Sequence, residues 1–275
     1  MGVVNVTPDS FSDGGAFLER DAAVNHGLRL AFEGADMLDI GGESTRPGAE
    51  PVPERVELDR VIPVIEGIRA RNADVRISID TSKAAVAAAA LAAGAGYVND
   101  VTALRGDPEM AALVAARGVD VCLMHMLGTP RTMQAEARYD DVVDDVKAFL
   151  AERIESAVAA GVALERIEVD PGIGFGKTLA HNLELLGRLR ELTALGRPVV
   201  LGTSRKSFLG KITGRETAER MPATLATLVM GYERGAEVFR VHDVAPARDA
   251  LAVAAATLLR VPASAPSSAS NRSPS

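Results

Sequence analysis

The sequence predicts an α/β protein in which eight parallel strands alternate with helices in one (β/α)8 TIM barrel. Eight short runs rich in β-branched residues alternate with longer Ala- and Leu-rich runs at helical spacing. The chain has 275 residues, 47% of them hydrophobic, which suffices for one barrel. A doubly wound open sheet shows the same alternation, but the count of eight favours the barrel, and the first strand-to-helix turn lacks G-x-G-x-x-G.

The predicted strands follow one another along the chain. They are GVVNV from Gly2, DMLDIGG from Asp36, RISID from Arg76, YVNDV from Tyr97, VCLMH from Val121, RIEVD from Arg166, PVVLGTS from Pro198 and VFRVH from Val238. Helix candidates between them include AAVNHGLRLAFEGA from Ala22, SKAAVAAAALAAGA from Ser82, YDDVVDDVKAFLAERIESAVAAG from Tyr139 and LATLVMGYERGA from Leu225. Several end in Gly, a common helix stop.

The carboxyl-terminal stretch differs in composition from the rest of the chain. Residues 1–260 carry the barrel pattern, whereas residues 261–275 are rich in Ser, Pro and Ala and have no periodic apolar positions. Such a segment buries too little apolar surface to offset its ordering entropy. We therefore predict a barrel over 1–260 and a disordered tail over 261–275.

Charge and cysteine content limit the class of protein. The formal net charge is −7, with 37 acidic and 30 basic residues, which argues against nucleic acid as a partner. Cys122 is the single cysteine, so no internal disulfide is possible, and a reducing compartment is expected. No signal-like start or run of about 20 apolar residues occurs. We expect a cytoplasmic protein that does not bind membranes.

Polar residues lie at the ends of the predicted strands or just after them. They are Asn5, Asp39, Asp80, Asn99, His125, Asp170, Lys206, Arg240 and His242. In a (β/α)8 barrel the active site forms at the carboxyl ends of the strands. Any one of these residues could be a solvated loop residue or a cap, but a polar group at every strand end predicts an active site there.

Arg240 and His242 are two residues apart, so on a strand their side chains point to the same side. A guanidinium and an imidazole together suit an anion such as phosphate. The alternative is that Arg240 pairs with a structural carboxylate such as Asp243.

Two carboxylates and an amide, those of Asp80, Asp170 and Asn99, are predicted at neighbouring or facing strand ends. Together they can accept hydrogen bonds from the ring N–H and amine of a guanidine-like heterocycle, such as a pterin or purine edge. A metal site between the two aspartates, or a general acid and base, are alternatives. Lys206, within GTSRKSFLG, suits an anion or planar ligand, and a Schiff-base lysine of a barrel aldolase is its alternative.

Three further features carry expectations. The segments NVTPDSFSDGG, from Asn5 to Gly15, and GGESTRPGA, from Gly41 to Ala49, leave strand ends on the predicted catalytic face and are interpreted as lids. Glu168 shares the parity of Asp170 and is therefore predicted to point into the barrel, where it needs a partner.

Eight stretches, in order from Met1 to about Arg260, resemble those of the dihydropteroate synthases. They are MGVVNVTPDSFSDGG, LDIGGESTRPGA, ISIDTSK, VNDV, LMHMLGTPRTMQ, DPGIGFGKT, GTSRKSFLG and FRVHDV. Relatives that share the pterin-binding barrel, such as methyltetrahydrofolate methyltransferases, typically share only part of this set. The ordered agreement is therefore specific.

The resemblance implies a transferase that joins a dihydropterin methyl diphosphate to 4-aminobenzoate with loss of pyrophosphate, through a dissociative mechanism. By the same resemblance, the pterin would be bound by Asp80, Asn99, Asp170 and Lys206, lined by Met124 and Gly202, and stacked upon by Arg240. The diphosphate would be held by Asn5, Thr45, Arg240 and His242, with Mg²⁺ bound through Asn5.

The implied 4-aminobenzoate site, where sulfonamides would compete, contains Thr45, Arg46, Pro47, Phe175, Lys206 and Ser207. Asp13 and Phe11 would close over the reacting centre. The residues implied in catalysis are Asp80, Lys206, Arg240, His242 and Asp13, with an ionised Asp80 stabilising positive charge on the pterin.

Family members usually begin about a dozen residues earlier, with a hairpin that plugs the bottom of the barrel, so either the start of this chain is misassigned or other residues close the floor. The resemblance also implies a homodimer formed through helices near the carboxyl end, and ATLATLVMGY from Ala223 could supply its apolar face or simply pack in the core. A pterin-binding paralogue without catalysis is the alternative function.

Overall fold

The computed structural model describes residues 1–7, 16–46, 48–128, 133 and 137–259. Within them, eight parallel strands each pair with the next along the chain. They are β1 (Gly2–Asn5), β2 (Met37–Gly41), β3 (Arg76–Asp80), β4 (Tyr97–Asp100), β5 (Asp120–Met124), β6 (Ile167–Asp170), β7 (Val199–Leu201) and β8 (Ala236–Phe239).

The sheet closes on itself just beyond β8. Val241 forms a parallel bridge with Gly2, and the backbone N–H of Val3 donates to the Val241 carbonyl at 2.9 Å. The N–H of Val241 in turn donates to the Met1 carbonyl at 2.9 Å. Closure confirms the predicted barrel and excludes the open doubly wound sheet.

Helices separate the strands and cover the outside of the barrel. They are α1 (Ala16–Phe32), α2 (Glu54–Arg69), α3 (Ala84–Ala92), α4 (Met110–Arg117), α5 (Val142–Ala159), α6 (Leu179–Gly187), α7 (Ser207–Thr213), α8 (Met221–Glu233) and α9 (Val244–Leu259). The four helix candidates correspond to α1, α3, α5 and α8. The last strand differs from the prediction, because β8 begins at Ala236 and ends before Arg240. The predicted tail, 261–275, lies outside the described residues.

Alternation along the strands explains both the core and the site. Leu38, Ile40, Ile79 and Leu123 point outward and are fully buried in the apolar core beneath the helices. The residues between them point into the barrel, and their character changes along its axis. At the lower end, Met37, Tyr97, Cys122 and Val200 form an apolar cluster, against which Met1 and Val238 pack. Side chains of the barrel strands therefore fill its floor.

Glu168, which the sequence left without a partner, lies beside this cluster. The Tyr97 hydroxyl donates to Glu168 Oε2 at 2.7 Å. Burial raises the pKa of Glu168, while the hydrogen bond from Tyr97 opposes that shift. The phenol thus supplies a donor to a carboxylate that is largely withdrawn from water.

No helix in the described part of the chain is long and apolar enough to cross a membrane.

Tyr97→Phe should lower the free energy of unfolding by about 1–3 kcal/mol, because it leaves a buried carboxylate without its donor. The loss should be larger at pH 8 than at pH 5, since the raised pKa of Glu168 means that acid neutralises the group and removes the penalty. Chemical denaturation at both pH values measures this. In a Glu168→Leu background the same change should be neutral or stabilising, and an equal loss there would contradict the assignment.

Candidate active site

Asp39 lies at the centre of the polar part of the barrel and is fully buried. Its Oδ1 accepts a hydrogen bond from Ser78 Oγ at 2.6 Å, and its Oδ2 accepts from Asn99 Nδ2 at 3.1 Å and from Arg240 Nε at 2.6 Å. These three partners come from β3, β4 and the residue after β8. Asp39 therefore orients two side chains that the sequence predicted to bind ligand.

Arg240 is held between two carboxylates. Its Nη2 donates to Asp80 Oδ2 at 2.7 Å, while its Nε donates to Asp39. The alternative that Arg240 pairs with a structural carboxylate is therefore confirmed, but the partner differs from the example given: it is the buried Asp39, whereas Asp243 pairs with Arg205, whose Nε lies at 3.0 Å. The Arg240 guanidinium is thus fixed across the barrel mouth.

The carboxyl of Asp80 titrates unusually high. Burial raises its pKa to about 7, the Arg240 guanidinium opposes the shift, and the charge of Asp39 adds to it. One guanidinium shared by two buried carboxylates cannot keep both as acidic as an isolated ion pair would. The ionised Asp80 that the resemblance implies therefore stays a prediction, and its ionised share is expected to depend on pH near neutrality.

Asp39 determines the orientation of the Asn99 side-chain amide. A carboxylate only accepts hydrogen bonds, so the amide must turn its NH₂ group toward Asp39. The Asn99 oxygen is therefore the atom left to accept from a ligand, as the sequence analysis required.

Asp170 and Lys206 face each other on the other side of the mouth. The N–H of Gly172 donates to Asp170 Oδ1 at 2.7 Å, and burial raises the pKa of Asp170 against the influence of Lys206. Lys206 donates to the Ile173 carbonyl, and its Nζ lies 4.6 Å from the centroid of the Phe175 ring. Burial lowers the pKa of Lys206 to about 8, although Asp170 raises it.

Two glycines lie beside these groups. A Cβ on Gly202 would be in ordinary contact with Lys206 Nζ at 3.7 Å and with Asp170 Oδ2 at 3.8 Å, so this backbone position adjoins both groups. Gly172 has φ +66°, and a Cβ there would come within 1.9 Å of the His125 carbonyl oxygen. Only glycine permits that close approach and positive φ.

The connection that carries Lys206 is braced from two helices. Arg205 adopts φ +57°, an uncommon conformation for a side-chain-bearing residue. Its N–H donates to Thr224 Oγ1 on α8 at 3.1 Å, and its guanidinium pairs with Asp243 just before α9. These contacts hold the turn that directs Lys206 into the mouth.

His242 lies in a different local environment from Arg240. Its Nδ1 and its backbone N–H lie 3.0 and 3.2 Å from Ser204 Oγ. Burial and Arg240 lower its pKa to about 4. The imidazole is therefore neutral at pH 7 in the ligand-free protein. It still offers a hydrogen bond to an anion.

The residues predicted around the second substrate lie at the rim. Thr45 is half-buried and lines a cavity of about 60 Å³ with Asp80, whereas Arg46 and Ser207 are exposed. Met124 is buried with Val101, Met126 and Met133, and Phe175 packs against that group. Phe11, Asp13 and Pro47 lie outside the described residues, so their predicted roles stay predictions.

The described residues contain no cluster of three or more His, Cys, Asp or Glu side chains that could hold a metal ion. Asp80 is paired with Arg240, and Asp170 is bonded to Gly172, so the alternative of a metal between these aspartates is not supported. Asn5 ends β1 and is half-buried. A single amide oxygen fits Mg²⁺ that is bound mainly through substrate phosphates and water.

Asp39 is the main residue whose role the sequence did not reveal. It was recognised as a strand-end residue, but its three donors lie 39, 60 and 201 residues away. The available signal was an acid at an inward position in the otherwise apolar run MLDIG. Ser204 and Arg205, which position His242 and Lys206, gave no such signal.

The arrangement matches a known class of barrel enzymes. A family model described as pterin binding enzyme matches residues 1–242, so the chain belongs to the pterin-binding enzymes. The dihydropteroate synthase of Escherichia coli K12 is 45% identical over 258 residues, which cover 94% of this chain and 91% of that protein. A probable bifunctional folylpolyglutamate synthase/dihydropteroate synthase of Haloferax volcanii is 49% identical over 244 residues, and the match spans only 29% of that longer protein.

Solved structures agree with these relatives. A Xanthomonas albilineans dihydropteroate synthase with 4-aminobenzoic acid has a TM-score of 0.89 and 52% identity, covering 95% of this chain and 93% of that one. The enzyme from the same organism in complex with 7,8-dihydropteroate has a TM-score of 0.85 and 49% identity, covering 95% and 94%. Within the pterin-binding enzymes, the chain belongs to the dihydropteroate synthases, which are transferases.

Binding of a pterin should weaken about tenfold from pH 8 to pH 6, because the ionised share of Asp80 falls from about nine-tenths to about one-tenth when its pKa is about 7. Asp39→Asn removes a negative charge that raises the pKa of Asp80, so the loss of binding on acidification should occur at a lower pH in this variant. Calorimetric titration of a pterin analogue that does not itself ionise between pH 5 and 9 measures both profiles.

The groups that influence the pKa of Asp80 are Arg240, Asp39, Glu57 and Asp100. Glu168→Gln is therefore the matched control and should leave the profile in place. The proposed coupling would be contradicted if binding by the wild type did not change with pH. It would also be contradicted if binding by Asp39→Asn weakened over the same pH range as binding by the wild type.

Proposed function

We propose that this chain condenses (7,8-dihydropterin-6-yl)methyl diphosphate with 4-aminobenzoate, giving 7,8-dihydropteroate and pyrophosphate, by a dissociative route. The observation that carries the proposal is the row of acceptors that Asp80, Asn99 and Asp170 form at the carboxyl ends of β3, β4 and β6. Arg240, held between Asp39 and Asp80, lies at the same end of the barrel. A pterin presents ring N–H and amine donors that match such a row.

Each polar group has a defined part in pterin recognition. The Asn99 oxygen accepts from the ring because its NH₂ is engaged by Asp39. Asp170 accepts from the amine edge, and Lys206, beside it, donates to a ring oxygen or nitrogen. Asp80 accepts from the ring when it is ionised, which gives binding its pH dependence.

The chemistry that follows needs no covalent bond to the protein. The bond between the pterin methylene and the diphosphate oxygen breaks, and its electron pair leaves with pyrophosphate. The lone pair of the 4-aminobenzoate nitrogen then attacks the resonance-stabilised methylene cation, and that nitrogen loses a proton. The protein supplies positioning and fixed charge: Asp80 faces the cationic pterin, while Arg240 and His242 hold the departing diphosphate.

Mg²⁺, held by Asn5 and by diphosphate oxygens, would neutralise charge on the leaving group. Thr45 lies near the same end of the barrel and would add a hydroxyl donor. Because His242 is neutral in the free protein, Arg240 is the charged side chain that we assign to the diphosphate.

The second substrate fits the rim beside Lys206. Phe175 offers a ring face, Ser207 opens α7, and Thr45 and Arg46 lie on the β2–α2 connection. An exposed arginine suits the carboxylate of 4-aminobenzoate. Sulfonamides, which resemble that substrate, should compete with it here.

We also propose a cytoplasmic homodimer. Met221, Met230, Val253 and Leu258 are exposed apolar side chains on α8 and α9, the helices nearest the carboxyl end. Part of the stretch from Ala223 packs inward, because Thr224, Thr227 and Leu228 are buried within the chain. The exposed part is the face that we assign to the partner subunit.

Arg240→Ala should abolish most of the activity. Removal of one preorganised donor to a developing charge costs about 3–4 kcal/mol, or roughly a hundredfold or more in rate. The measurement is dihydropteroate and pyrophosphate formation by the purified protein with Mg²⁺, with and without 4-aminobenzoate, in wild type and variant.

Product that requires both substrates and collapses in Arg240→Ala would establish the function. A wild type that binds the pterin and yields no dihydropteroate would favour a non-catalytic paralogue. Borohydride trapping at Lys206 with a carbonyl substrate would instead identify an aldolase.

A further inference from the structure

A lysine and two glutamates join the loop after β2 to the loop after β3. Lys83 Nζ lies 2.5 Å from Glu43 Oε2 and 2.5 Å from Glu57 Oε2. Glu43 belongs to the β2–α2 connection, Glu57 to the first turn of α2, and Lys83 directly precedes α3. The ammonium thus connects three separate segments at one edge of the barrel mouth.

The charges in this cluster depend on one another. Glu57 is fully buried, and its Oε1 has no hydrogen-bond partner among the described residues. A buried carboxylate is costly unless an opposite charge is close, and Lys83 provides that charge. Burial by itself would lower the pKa of Lys83. The hydrogen bonds with Glu43 and Glu57 outweigh that effect and raise the pKa, so the amine stays protonated. Stabilisation of the amino-terminal end of α2 would by itself explain Glu57 in the first turn. It would not explain why Glu43 also contacts the ammonium of Lys83.

Glu43 in turn anchors the β2–α2 connection. Its Oε2 also accepts from the backbone N–H of Val52 at 3.0 Å, which ties together the two ends of residues 43–52. At the base of the loop, Arg60 Nη1 donates to the Gly42 carbonyl at 2.8 Å. A Cβ on Gly42 would lie 2.8 Å from Val61 Cγ1, so the base packs directly on α2.

The loop held in this way carries Thr45 and Arg46. Thr45, Glu43, Glu57, Lys83 and Asp80 line one cavity of about 60 Å³. Lys83 is three residues beyond Asp80, so the same short segment that presents Asp80 to the pterin also holds the loop assigned to 4-aminobenzoate.

We infer that Lys83 is a positioning residue for the second substrate: by holding Glu43 and Glu57 together, it fixes Thr45 and Arg46 relative to Asp80. The inference rests on the proposed function, which places 4-aminobenzoate near Thr45 and Arg46. Lys83 acts through Glu43 and does not itself touch either substrate.

Steady-state kinetics of Lys83→Met test this. KM for 4-aminobenzoate should rise at least about tenfold, because a displacement of about 1 Å in a positioning group is enough for an effect of that size. The Kd of the pterin diphosphate should rise much less than KM for 4-aminobenzoate, and kcat should stay within about twofold, since Asp39 holds the pterin groups and Thr45 is the one diphosphate contact on this loop. Lys83→Arg, which keeps the charge, should recover most of the loss, and Lys211→Met, at an exposed lysine on α7, is the matched control.

A second readout does not depend on activity. Hydrogen exchange in residues 44–52, including the Val52 amide that donates to Glu43, should accelerate in Lys83→Met while exchange in β3 stays unchanged. If Lys83→Met does not fold, Glu43→Met removes the acceptor that links the loop to Lys83 and Val52 and should show the same selective changes in KM and exchange.

Unchanged exchange in residues 44–52 would overturn the inference, whether or not the protein is active. So would an equal weakening of both substrates together with a general loss of stability, since that would mean a structural role only. An inactive wild type would instead count against the proposed function. In that case, selective loosening of residues 44–52 would still support Lys83 as the anchor of this loop.

Discussion

The active site depends on one guanidinium shared between two carboxylates. Arg240 contacts Asp39 and Asp80, residues 201 and 160 positions away in the chain, and these contacts require the last strand to lie beside the first three. Closure of the barrel through Val241 and Gly2 is therefore a condition for the site, not only for stability. Asp39 also fixes the orientation of Asn99. Because the Asn99 NH₂ group donates to Asp39, the side chain can turn only its oxygen toward a ligand.

The side chains inside the barrel differ in character between its lower and upper ends. The cluster around Met37 and Cys122 fills the lower end with apolar side chains, and the upper end holds a network of charges beside a second apolar cluster that contains Met124 and Phe175. Burial shifts the pKa values of three groups in the direction that favours their neutral forms: to about 7 for Asp80, about 8 for Lys206 and about 4 for His242. A site of this kind binds a polar heterocycle and a diphosphate with preorganised dipoles and one fixed cation, and has little need to reorganise as charge develops.

Ion pairs hold two loops at the mouth of the barrel. Arg205 pairs with Asp243 behind Lys206, and Lys83 pairs with Glu43 and Glu57 behind Thr45. Each of these ion pairs joins a loop to a neighbouring βα unit, so the position of the loop depends on the packing of that unit. Binding residues on loops become precise only when a rigid scaffold holds them, and here ion pairs provide part of that scaffold.

The sequence alone determined the eight strands and, through their two-residue period, which side chains point into the barrel. That sufficed to bring Asp80, Asn99 and Asp170 to one end, and Lys206 was expected there because it follows the seventh predicted strand. It did not determine the partners: that Tyr97 donates to Glu168, that Asp243 pairs with Arg205 rather than Arg240, or that Asp39 gathers three donors. Nor did it give the protonation of Asp80 or His242. Periodicity fixes the direction of a side chain from its neighbours in the chain, whereas partners and pKa values depend on distances across the closed barrel and on burial, which only the tertiary structure decides.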